Sequence, residues 1–279
     1  IADEAGWSAA YAAMAALMGV GMITVLISPE PERRPAAGTA MRQRKAVAFM
    51  AAHGHVPAVL RSAMSRIYEA VICPFADFMT RPNWLMILLF VALYKYGEAL
   101  LGVMANPFYL DLGFSKSEIA AVSKIYGLSM TIAGGLIGGV LVARYGIMKA
   151  LLYAGILQCV ANLAYAGQAL VGYSIPMLAV SISIENLTAG MATSAFVAYL
   201  SSLCSQAYTA TQYALLSSIM AFARDVLSSS SGLAAEFMGW FGFFAFSAAL
   251  GVPALLVLWW IMKRHPAPPQ SPPTPAEAG

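Results

Sequence analysis

Stretches of about 20 apolar residues recur along this chain, and each is long enough to cross hydrocarbon as a helix. Seven such runs are read here, at 6–27, 84–104, 117–142, 149–171, 175–201, 207–237 and 241–262. Lipid offers the backbone no hydrogen-bond partners, so a spanning segment must be a helix or part of a closed barrel. Runs this long are helices. Composition agrees: the chain is 60% hydrophobic and 10% charged, against roughly 25% charged residues in a soluble domain. The expected fold class is an all-α membrane protein.

Ionisable residues interrupt these runs at depth. Lys95 and Glu98 lie inside 84–104, Glu185 inside 175–201, and the neighbours Arg224 and Asp225 inside 207–237. Charge in hydrocarbon is costly, so such groups face a bundle interior or a wet pathway. Lys95 and Glu98, three apart, share a helix face and can pair. Lys95 is read as a contact for a substrate anion and Glu98 as a proton carrier; an ion pair that only fixes packing is the alternative. Glu185 is followed by Asn186. Low dielectric favours the neutral form of a carboxylate, so Glu185 is the leading candidate for proton coupling, with a neutral interhelical donor as the competing reading. Arg224 and Asp225 point about 100° apart and are expected to seek partners on other helices, Asp225 joining the proton-coupling set and Arg224 the substrate-binding one. Asn186, Tyr94 and Lys124 are further substrate-binding candidates. Gln158, Asn162 and Gln168 are weaker ones, since single polar residues in helices often serve as interhelical glue.

Charge placement orients the set. Eight of the 16 Lys and Arg residues fall between Arg33 and Arg81, Arg144 and Lys149 flank a later short loop, and Lys263 and Arg264 follow the last run. The N-terminus is therefore expected outside and the C-terminus inside. Residues 56–79 show helical periodicity with Arg61, Arg66 and Glu69 opposite an apolar face. This fits a helix lying in the membrane interface or a short helix packed on the inner ends of the bundle. The tail, rich in Pro and Ala, reads as disordered. Gly134, Gly135, Gly138 and Gly139 mark a close helix contact. Cys73, Cys159 and Cys204 are scattered, and no metal-ligand spacing, phosphate loop or nucleophile motif stands out. No cofactor and no nucleic-acid partner is expected, and nothing points to an enzyme.

Four blocks carry a resemblance. They are the segments 107–120 (PFYLDLGFSKSEIA), 134–146 (GGLIGGVLVARYG), 185–200 (ENLTAGMATSAFVAYL) and 209–217 (TATQYALLS). In this order they resemble the muropeptide permeases of the AmpG type, within the major facilitator superfamily. The resemblance implies an inner-membrane, proton-driven importer of anhydromuropeptides working by alternating access. It implies that 1–28 is the last helix of an N-terminal bundle, 29–82 the central cytoplasmic loop, 83–263 a C-terminal six-helix bundle and 264–279 a cytoplasmic tail. The chain starts at Ile1 without Met and is read as the C-terminal part of a longer protein, with the preceding helices as its natural partner. Other readings stay open: a permease for acetyl-CoA or a drug, a membrane-embedded enzyme using Glu185 and Asp225, or a retinal protein. The last is disfavoured because 241–262 holds no lysine.

Overall fold

The computed structural model of the chain describes residues 2–28, 71–205 and 208–264, and every regular element among them is helical. Helix α1 is Ala2–Ile27, and α2 is the short Cys73–Met79. Helices α3 (Trp84–Tyr94) and α4 (Tyr96–Asp111) meet at Lys95; α5 (Lys116–Val122) and α6 (Leu128–Tyr145) are joined by a π-helical turn, Ser123–Gly127. Then follow α7 (Ile147–Val171), α8 (Ile175–Leu203), α9 (Thr209–Ser228) and α10 (Ser231–Arg264).

Five of these runs are long and apolar enough to cross a membrane: Trp84–Asp111, Lys116–Tyr145, Ile147–Val171, Ile175–Leu203 and Ser231–Arg264. Helix α1 is non-helical at Gly6, and its part Tyr11–Ile27 is apolar. The sixth expected crossing differs from the sequence reading. Helix α9 stops at Ser228 and does not run on to residue 237. The cause is local. Ser229 and Ser230 turn their hydroxyls back onto the carbonyls of Val226 (2.7 Å) and Leu227 (3.4 Å), which competes with helix continuation. The residues beyond open α10, which is itself broken at Gly239 (φ 67°, ψ 169°), a conformation only glycine adopts readily.

Two large apolar clusters hold the bundle, one at each end, and a smaller one of Ala154, Met191 and Ala192 packs α7 on α8. The first gathers Phe108, Tyr109, Phe114, Tyr165, Leu178 and Phe243; the second gathers Phe78, Phe90, Leu151, Tyr199, Leu216 and Leu258. Lys95 and Glu98 fall between Val91 of the second cluster and Leu100 of the first, and Glu185 falls between Ile182 of the first and Ala195 of the second. At the second end, basic residues lie over rings: Arg81 on Phe78, Arg144 on Tyr145, Lys263 on Trp259 and Arg264 on Trp260. Such cation–ring pairs suit a membrane–water boundary.

The glycine stripe makes the contact expected of it. A Cβ on Gly134 would run into the Leu187 carbonyl, and one on Gly138 would meet the Met191 carbonyl at 2.7 Å. Gly190 approaches α6 from the other side, against Thr131 and Gly135. Helices α6 and α8 thus touch backbone to backbone. Gly139 faces open space and takes no part.

Of the helix read at 56–79, only the last part is described. Helix α2 carries Pro74 in its first turn, where a missing N–H costs nothing. It buries Cys73, Pro74 and Phe78 and accepts a bond at the Pro74 carbonyl from Gln212 Nε2 (3.1 Å). This portion packs on the bundle end. The remainder of that helix, most of the basic loop and the tail from residue 265 lie outside the described residues.

Candidate functional site

Lys95 interrupts the run Trp84–Asp111 at its centre, with a backbone outside the helical region (φ −91°, ψ 3°). Glu98 falls in the first turn of α4, where a negative charge suits the helix dipole. The Lys95 ammonium donates to Glu98 Oε2 at 2.5 Å and to Thr193 Oγ1 at 2.9 Å. The pair keeps little contact with solvent, at 12% and 26% side-chain exposure. One cation therefore ties α4 to α8.

Glu185 lies further along α8. Its Oε2 accepts from Asn186 Nδ2 at 2.8 Å. Asn186 is fully engaged: Nδ2 also donates to the Ile182 carbonyl (2.9 Å), while Oδ1 accepts from Thr131 Oγ1 (3.0 Å). That bond joins α8 to α6 just past the π-helical turn.

These side chains border a cavity of about 380 Å³ between α4, α6, α7 and α8, lined by Glu185, Asn186, Thr131, Asn106, Tyr109 and Tyr165 among others. The size falls in the range of small-molecule sites. Tyr109 and Tyr165 set their hydroxyls 2.5 Å apart on its wall. The cavity can offer hydrogen bonds and a titratable carboxyl to a polar guest, with a cation close by.

The sequence candidates divide. Lys95 pairs with Glu98 and reaches α8 at Thr193, and Glu185 and Asn186 share the cavity wall. Tyr94 does not offer its proton to a substrate: its hydroxyl donates to the Leu151 carbonyl (2.9 Å), and its ring stacks on Phe196 with centroids 5.2 Å apart. Burial against α7 supplied a carbonyl partner before any ligand could. Lys124 is exposed, on the turn whose Ser123 and Gly127 line the cavity. Arg224 and Asp225 correct the expectation of partners on other helices. They pair with each other, Nε to Oδ1 at 3.0 Å, and are 54% and 65% exposed. The long arginine side chain folds back across the angle that separates the two positions. Tyr109, Tyr165, Thr131, Asn106 and Thr193 were not singled out from sequence. A tyrosine or threonine in an apolar run reads as filler, and only the three-dimensional neighbours reveal otherwise.

Fold and site define a class: a multi-pass helical membrane protein, with ionisable groups gathered between apolar clusters beside a polar cavity. Residues 85–278 match the family model described as Major Facilitator Superfamily, and the chain belongs to that superfamily. It is 41% identical over 205 residues to "Putative transporter AmpG 4" of Rickettsia felis, covering 74% of this chain and 49% of that protein. It is 36% identical over 255 residues to the anhydromuropeptide permease of Escherichia coli K12, covering 91% of this chain and 46% of that one. The chain spans about half the length of the curated relatives it matches. The resemblance read from the four sequence blocks is to these same proteins.

Proposed function

We propose that this chain supplies the C-terminal half of a proton-coupled importer of anhydromuropeptides, working by alternating access across the inner membrane. The observation that carries it is the placement of Glu185 on the wall of a roughly 380 Å³ cavity that α4 also lines, with the Lys95–Glu98 pair at the start of α4. The substrate class comes from the Escherichia coli relative, named as an anhydromuropeptide permease. Residues 83–263 form the six-helix bundle, α1 is the last helix of a preceding bundle, and residues 29–82 form a cytoplasmic loop between them. The relatives are about twice as long as the stretch matched here, which supports a second helical half closing the cavity. The basic end, with Arg81, Arg144, Lys149, Lys263 and Arg264, faces the cytoplasm.

Lys95 takes the carboxylate of the substrate, exchanging Glu98 for it. Glu98, released, accepts a proton, and Glu185 carries a second protonation site on the cavity wall. Asn186 holds Glu185 in place while its own oxygen stays with Thr131. The reaction is solute movement and not a covalent step, so no catalytic residue is assigned. Arg224, Asp225, Lys124 and Tyr94 are given no role in this half.

The test is Glu185→Gln in the membrane-inserted protein with its second half present. Uptake of labelled anhydromuropeptide driven by a proton gradient is expected to fall at least tenfold, with unchanged membrane abundance. Undiminished uptake with the parental pH profile would remove Glu185 from coupling. Normal uptake of an unrelated anionic solute, with none of the muropeptide, would overturn the substrate assignment.

A further inference from the structure

A second, much smaller cavity lies at the centre of the bundle. It holds about 20 Å³ and is walled by Gly97, Glu98, Gly155, Gln158, Asn162 and Gly251, among others. That volume fits one water molecule. Gln158 and Asn162 are 7% and 1% exposed, and Gln158 Nε2 and Asn162 Oδ1 have no protein partner. The other end of the Gln158 amide is taken, Oε1 accepting from Thr188 Oγ1 at 3.2 Å. One orphan donor and one orphan acceptor thus face the same small space.

We propose that this cavity is a binding site for a single ordered water molecule, shared by Gln158, Asn162 and Glu98. A cation there would be repelled by the Gln158 NH₂ group, and an anion by the Asn162 oxygen and by Glu98. Water both donates and accepts, so it satisfies all three groups at once. Turning Asn162 over exchanges an acceptor for a donor, and one water still serves all three groups. The glycines keep the space open. A Cβ on Gly97 would press on Asn162 Nδ2 (3.3 Å) and the Ser247 carbonyl (3.2 Å), and one on Gly155 would meet Leu255 Cδ2 at 2.7 Å. The site's consequence rests on the role proposed above for Glu98: the water gives that carboxyl a partner on the α7 side that persists when Lys95 turns to a substrate.

Binding is read without transport. The whole chain in lipid nanodiscs is examined by infrared difference spectroscopy on exchanging H₂¹⁶O for H₂¹⁸O, with Gly97→Ala and Asn162→Leu alongside. A shifted O–H band of bound water is expected in the parent and in Glu185→Gln, and is lost in Gly97→Ala at unchanged helical circular dichroism. If Gly97→Ala fails to insert, loss of the band in Asn162→Leu carries the same meaning. No band in the parent, or a band that survives both variants, overturns the proposal. A band in the parent, lost in the variants, beside full transport by Glu185→Gln would uphold the water site while sinking the coupling role of Glu185.

Discussion

Lys95 is a cation with two protein partners and little water, and that decides what its loss does. Removing one member of a buried ion pair strands the other, whereas replacing both with apolar groups is often neutral. Lys95→Ala is expected to destabilise the protein by about 3 kcal/mol or more, because Glu98 is left three-quarters buried. Lys95→Met combined with Glu98→Met is expected to melt within a few degrees of the parent and yet to transport nothing. Thermal unfolding in detergent checks both. If the single variant melts like the parent, the pair has no structural weight. At this scale the sequence told much about Lys95, Glu98 and Glu185, because a charge among apolar residues has few ordinary explanations. At Arg224 and Asp225 the two side chains pair with each other at an exposed position, which nothing in the run announces. The run of serines from Ser228 to Ser231 was the available sign that α9 stops at Ser228.

Among elements, α6 and α8 show how closely a glycine must be read. Gly138 and Gly139 are neighbours, but only the first faces the partner helix. Gly138→Leu must push the Met191 carbonyl away, and overpacking of this kind costs about 3 kcal/mol or more when backbone is the obstacle. Gly139→Leu meets nothing within 4 Å and is expected to stay within about 1 kcal/mol of the parent. Comparison of the two melting temperatures checks the direction of the stripe, and equal losses would refute it. The stripe itself was legible from spacing. The break at Lys95 and the π-helical turn were not, since neither contains Pro or an internal run of breakers, and their backbone irregularity answers to neighbours in space. The Tyr173 hydroxyl, between α7 and α8, donates to Glu118 Oε1 at 2.6 Å. That bond to a carboxylate raises the Tyr173 pKa above the usual phenol value and, with Ser115, lowers that of Glu118, so the contact is intact at neutral pH and is lost in strong acid or strong alkali.

For the whole molecule, the short loops carry the orientation. With the three native cysteines replaced, a cysteine at Tyr173 is expected to react with a membrane-impermeant maleimide in intact cells. One at Lys149 is expected to react only after permeabilisation. The reverse pattern would invert the topology and with it the direction of import proposed here. Fold class was readable from run length alone, because lipid leaves the backbone so few options. The cavity was not, since it is assembled from four helices whose mutual rotation no single run encodes. One consequence follows from the two apolar clusters, which have no side chain in common. Each end of the bundle is gripped by its own set of interlocking rings, so one grip can loosen while the other stays shut. Under the alternating access proposed above, such a molecule would part at either mouth in turn around an unmelted waist.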